Sequence, residues 1–165
     1  DYENRLAIKL SDELSSLSKL KLNFGNMESN QKQYREFIPE ISSFSLISIL
    51  ESEGLDTHLL VIIDSDIIYK LSNIFLGGTG IIEMKPSPTF TLSECFVGEL
   101  IVERIQSFYK KLQINLSFVR IETELDMVHA FYDDEMIKHL YCDCMLDKEN
   151  LGRIHIAYNK ELGIW

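Results

Sequence analysis

Five consecutive apolar residues, Leu59-Leu60-Val61-Ile62-Ile63, constrain this chain more than any other stretch. The run is far too short to cross a bilayer and has the length of a strand. It lacks the alternation of a strand with one wet face, so both of its faces must be covered. That calls for a sheet with a layer on each side, an α/β fold with this strand near its centre. Asp64-Ser65-Asp66 follows directly, any of which can cap a helix. Ile67, Ile68, Leu71, Ile74 and Phe75 then keep helical spacing up to Gly77 and Gly78. The first of these glycines suits the left-handed exit of a helix.

The same reading organises the remainder. Leu6, Leu10, Leu14 and Leu17 predict a helix over residues 2–18. Leu20, Leu22 and Phe24 alternate in a strand from Lys19 to Met27, which Glu28-Ser29-Asn30 is expected to break. Tyr34 to Ile38 reads as a helical turn stopped by Pro39. Ser43 to Glu51 reads as a strand in a hairpin with Leu59 to Asp64, across a turn marked by Gly54 and Asp56. Thr91-Leu92-Ser93-Glu94 is a capping box opening the longest helix, to about Leu112. Its predicted buried stripe is Phe96, Leu100, Ile101, Ile105, Phe108 and Leu112. Strands are expected from Leu116 to Glu124, Val128 to Tyr132, Ile137 to Leu146 and Arg153 to Tyr158, with turns at 133–135 and 148–152. Ile49 to Asp56 echoes Ile121 to Asp126, and a long helix heads each half. This suggests two related half-domains sharing one sheet, although acidic turns also recur by chance.

At 165 residues the chain suits one domain, 1–165, and its start without Met suggests a piece of a longer protein. The N-terminus has neither a basic nor an apolar region of the kind a signal peptide needs. A formal net charge of -10 opposes contact with nucleic acid or anionic lipid and favours a basic protein surface as partner. Three cysteines, Cys95, Cys142 and Cys144, are an odd and sparse count that does not read as a disulfide framework and fits a reducing compartment better. Cys142 and Cys144 share one strand face with Leu140 and Leu146 and read as core; a metal site would need two further ligands that no spacing supplies. His58, His129, His139 and His155 are scattered singly and read as structural or surface residues. No nucleotide, metal or nucleophile motif is present, so no cofactor is expected. Gly77-Gly78-Thr79-Gly80 follows a helix rather than a strand and is therefore no phosphate cradle. It is either a helix cap with a flexible exit or a loop that lets a partner approach the backbone. The segment to Pro88 holds Gly80, Pro86 and Pro88, and irregular segments of that length are commonly functional.

Taken in order, Tyr34-x-x-Phe37-Ile38, the hairpin, Leu60 to Ile68 leading into Phe75-Leu76-Gly77-Gly78-Thr79-Gly80, and Phe90-Thr91-x-x-Glu94 resemble the middle domain of the FliM family of flagellar motor switch proteins. The resemblance spans nearly the whole chain. It implies a pseudo-twofold α/β/α sandwich of CheC-like type. It also implies a non-enzymatic scaffold and relay of CheY-dependent switching, in the cytoplasm at the inner-membrane side of the flagellar basal body. The implied partners are FliG, neighbouring copies in the rotor ring and, weakly, CheY, with no nucleic acid and no membrane insertion. The implied FliG-binding residues are Gly77, Gly78, Thr79, Gly80, Ile81 and Lys85. Two features depart from the family pattern: Leu76 stands where an aromatic usually precedes the glycines, and Pro88 and Thr89 are neutral where a basic residue is common. The related CheC-type phosphatases supply a rival function through a helical Glu-x-x-Asn. The matching positions here are Glu13-x-x-Ser16, Glu94-x-x-Val97 and Glu103-x-x-Gln106, none with Asn. A ring component of a type III secretion apparatus is the third reading.

Overall fold

In the computed structural model, which describes residues 2–77 and 89–165, the apolar run lies in β4 (His58–Asp64). Leu59 to Ile63 are fully buried. Burying side chains of this size stabilises by roughly 2 kcal/mol each. β4 lies between β3 (Ser45–Ser52) and β7 (Glu149–Tyr158), antiparallel to both. With β1 (Leu22–Phe24), β2 (Glu28–Gln33), β5 (Leu116–Glu122) and β6 (Met136–Leu146) they form one sheet in the order β1-β6-β7-β4-β3-β5, β2 also pairing with β6.

Alternation along β4 feeds two cores. Leu59, Val61 and Ile63 face the larger one, closed by α1 (Tyr2–Ser18), α3 (Ser65–Phe75) and α4 (Leu92–Lys111). Leu60 and Ile62 face a smaller one with Tyr34 and Phe37 of α2 (Tyr34–Phe37) and with Val128 and Phe131. The expected α/β/α layering is present. So is its pseudo-twofold: β1, β3 and β4 of the first half correspond in chain order to β5, β6 and β7 of the second, and exchanging the two sets reverses the sheet order onto itself. The axis therefore passes between β4 and β7. The sequence echo does not follow it, because it paired the end of β3 with the end of β5, whose counterparts are β6 and β1.

Several elements differ from the expectation. Glu28–Gln33 is a strand, not a break. Its side chains are polar and mostly exposed, and only backbone pairing with β6 defines it. Pro39 does not stop the chain's turn; it sits in the first turn of a 3-10 helix, Ile38–Glu40, where its missing N–H costs nothing. Residues 128–132 form no strand. After a 3-10 turn at Leu125–Met127 the carbonyls of Met127 and Val128 accept from the Arg120 guanidinium instead of a neighbouring strand. Residues 149–152 belong to β7, and the β6–β7 turn is confined to Asp147 and Lys148. Finally, α4 is rotated from its predicted stripe: Val97, Ile101, Val102, Ile105, Phe108 and Tyr109 are buried, Leu100 is half-buried and Phe96 is exposed. On α1, Leu17 is likewise exposed.

Candidate partner interface

α3 begins at the end of the central strand. Asp64 occupies its N-cap position, yet its carboxylate makes no capping bond. Oδ2 accepts instead from the Arg153 N–H at 2.8 Å, tying the helix start to β7. At the other end Leu76 N–H donates to the Ser72 carbonyl at 3.1 Å and Gly77 N–H to the Ile74 carbonyl at 2.9 Å. Gly77 has φ +84°, the left-handed exit anticipated from the sequence. A Cβ there would meet nothing within 4 Å, so backbone conformation, not space, favours glycine. Of the residues expected to bind a partner, Gly77 is in this position; Gly78, Thr79, Gly80, Ile81 and Lys85 lie outside the described residues.

The chain is anchored again at Thr89 and Phe90. Tyr69 of α3 donates its hydroxyl to the Thr89 carbonyl at 3.1 Å. Phe90 stacks on Phe44 with ring centroids 4.7 Å apart. The capping box then starts α4: Glu94 N–H donates to Thr91 Oγ1 at 3.2 Å and Thr91 N–H to Glu94 Oε1 at 2.8 Å. Both ends of the glycine segment are thus fixed to the packed pair α3 and α4.

Three large apolar side chains flanking the segment are exposed. Leu76 is 73% exposed, Leu92 91% and Phe96 57%. Leu92 and Phe96 are one turn apart on the same face of α4. Phe75, in contrast, packs against the larger core. The residue directly before the glycines is therefore the one presented to solvent, although here it is a leucine. Leu92 and Phe96 went unrecognised in the sequence because α4 is apolar on more than one face, and Phe96 fits a core stripe as well as Val97 does.

Two of the three carboxylates that could imitate a phosphatase are otherwise engaged. Glu13 pairs with Lys9 at 2.6 Å and Arg104 at 3.3 Å. Glu94 closes the capping box. Glu103 and Gln106 do share a cleft of about 260 Å³ with Ser48, Glu99, Val102 and Phe118. The Gln106 amide nitrogen, however, donates to the Leu116 carbonyl at 3.0 Å, which fixes its orientation toward β5. Cys142 and Cys144 are buried free thiols, both pushed up to about 12, chiefly by burial. Among the described residues no group of three or more His, Cys, Asp or Glu is placed to hold a metal, and no helix is long and apolar enough to cross a membrane.

The sequence profile of the flagellar motor switch protein FliM matches residues 2–159. The chain belongs to the FliM family. Its fold is that of other FliM-family structures. A chain of the FliG–FliM complex from H. pylori superposes with a TM-score of 0.87 at 16% identity, over 99% of this chain and 94% of that one. The FliM middle domain of Vibrio alginolyticus gives 0.81 at 14% identity, over 98% and 92%. A CheC-like superfamily protein from Shewanella gives 0.56 at 14% identity, over 95% of each chain, so the CheC-like fold holds as well. No curated protein matches the chain in sequence. Family membership makes this a component of the flagellar motor switch; the low identities carry the fold and leave individual contacts to this chain's own residues.

Proposed function

We propose that this FliM-family chain is a non-enzymatic scaffold and signal-relay domain of the rotor switch that docks FliG through the segment beginning at Gly77. The observation that carries the reading is the exposure of Leu76, directly before the glycine segment, and of Leu92 and Phe96 on the first two turns of α4 after it. Exposed large apolar side chains are what a protein partner covers. The fold shared with a chain of a FliG–FliM complex supports FliG as that partner. The chain would stand beside further copies of itself at the cytoplasmic side of the basal body. Regulator binding elsewhere in the switch, by CheY, would reach FliG as a shift of this surface. The engagement of Glu13 and Glu94 and the fixed Gln106 amide favour relay over catalysis.

The test is a titration against the middle region of the cognate FliG, comparing the native chain with Gly77→Ala/Gly78→Ala. A Cβ at φ +84° costs about 1 kcal/mol and redirects the helix exit. At least tenfold weaker binding is expected. Unchanged binding by the folded double variant removes the segment from the interface.

A further inference from the structure

Two of the four histidines meet inside the protein. His139 on β6 and His155 on β7 are diagonal neighbours in the antiparallel register, in which Tyr141 opposes His155 and Ala157 opposes His139. Both side chains are buried, at 1% and 3% exposure. His139 Nε2 lies 2.9 Å from His155 Nδ1, a hydrogen bond in which one ring must be donor and the other acceptor. Each outer nitrogen faces a carboxylate beyond hydrogen-bond range. His139 Nδ1 is 3.8 Å from Glu40, on the 3-10 turn after α2. His155 Nε2 is 4.0 Å from Asp64, at the start of α3. His139 Nδ1 is buried with no hydrogen-bond partner among the described residues. Phe37 packs edge-on against His139 with centroids 4.7 Å apart, and Tyr141 lies 4.9 Å from it.

This row crosses the pseudo-twofold seam. The imidazoles belong to the second half of the chain, and Asp64 and Glu40 to the first. Asp64 also receives the Arg153 N–H, an approach made possible by Gly152, where a Cβ would stand 3.0 Å from Asp64.

We propose that the His139–His155 pair is a proton-operated latch on the seam between the two halves, closed while both rings are neutral and opened by acid. The bridge needs one N–H and one lone pair. A first added proton leaves the bridge but charges a buried ring, and it draws Glu40 away from its ion pair with Lys32 of β2. A second leaves no lone pair and breaks the bridge; acid therefore favours the open state, in which the exposed rings take up protons at the ordinary imidazole range, while the closed pair stays neutral.

The titratable and charged groups facing the pair are Lys32 on β2, Glu40 after α2, Asp64 on β4, Tyr141 on β6 and Arg153 on β7, with Asp143 paired to Arg153 at 3.0 Å. Burial, reinforced by Lys32 and Arg153, pushes His139 down to about 3. Burial, then His139 and Arg153, pushes His155 down to about 3 as well. Folded-state values below the ordinary imidazole range mean that stability is complete above about pH 6.5 and lost as pH falls below it. Each unprotonated ring lowers the folded-to-unfolded ratio tenfold per pH unit in that window. Asp64, raised mainly by burial, acts in the opposite sense.

The experiment is hydrogen exchange of the native chain at pH 7.5 and pH 5, corrected for intrinsic rates, beside His139→Gln/His155→Gln, with imidazole NMR of the native chain. The latch predicts that β6, β7 and the end of β4 lose protection at pH 5 by at least tenfold more than the double variant does. It also predicts that both native rings titrate well below the ordinary range. Rings that titrate at the ordinary value, or seam strands equally protected at both pH values in the native chain, overturn the proposal whether or not the variant folds.

Discussion

Leu92 is the residue whose replacement separates binding from folding most cleanly. It is the first residue of α4 and 91% exposed, so Leu92→Asp forfeits only about a tenth of a leucine's burial, roughly 0.2 kcal/mol. A carboxylate in the first turn meets unpaired N–H groups and the positive end of the helix, a gain of about 0.3–1 kcal/mol. The two effects offset to within about 0.8 kcal/mol, so Tm should move by no more than about 3 °C. At a docked surface the balance is different. The variant loses an apolar contact and carries an unpaired charge out of water, which together cost at least about 2 kcal/mol, or roughly thirtyfold in Kd. The assay is calorimetric titration with the FliG middle region beside a thermal melt. Ile8→Asp on α1 serves as control, since Ile8 is also exposed, at 60%, but lies on another helix. If Leu92→Asp keeps its Tm and binds FliG as tightly as the native chain, the α4 entrance is not in the interface.

Three further outcomes are expected. Gly152→Ala should lower stability by about 2–4 kcal/mol in denaturant unfolding, because Gly152 has φ +130° and a Cβ would meet Asp64 at 3.0 Å. A thiol reagent at neutral pH should label Cys95 slowly, its thiol raised by burial and by Glu94 and Glu99, and leave Cys142 and Cys144 unlabelled until the chain unfolds. Phosphorylated CheY mixed with the chain should lose phosphate at its own rate; acceleration abolished by Glu103→Ala would reinstate the phosphatase reading.

What was legible in the sequence had strong local causes. The continuous run at 59–63 specified a central strand, the i+4 leucines specified α1, and Thr91 with Glu94 specified the start of α4 to the residue. Gly77 announced its own backbone conformation. What was not legible depended on partners distant in sequence. β2 carries Glu28, Ser29, Asn30 and Gln31, which no hydrophobic pattern marks, and is a strand only because β6 needs an edge. Residues 128–132 alternate like a strand, but Val128 and Phe131 anchor the small core and Arg120 takes the carbonyls. The phase of α4 was ambiguous because Phe96, Val97, Leu100, Ile101 and Val102 leave no single apolar face; contact with β3 and α1 decided it, and so exposed the candidate site. The histidine pair lies sixteen residues apart, and only a hairpin turning at Asp147-Lys148 brings the rings together. Counting outward from that turn alone would put His139 opposite Ile156 and His155 opposite Leu140, on opposite faces; the bulge between Cys144 and Met145, which no residue pattern marks, shifts the register by one and brings both rings to one face.

FliG docking is expected at the exit of α3 and the entrance of α4. It is tested most directly by adding unlabelled FliG middle region to isotopically labelled chain and mapping the backbone signals that shift. Shifts at Phe75 to Gly77 and Thr89 to Phe96 are expected, with α1 and the exposed edge of β5 unaffected. Shifts confined to Phe118, Val119 and Arg120 on β5, or to α1, would contradict it.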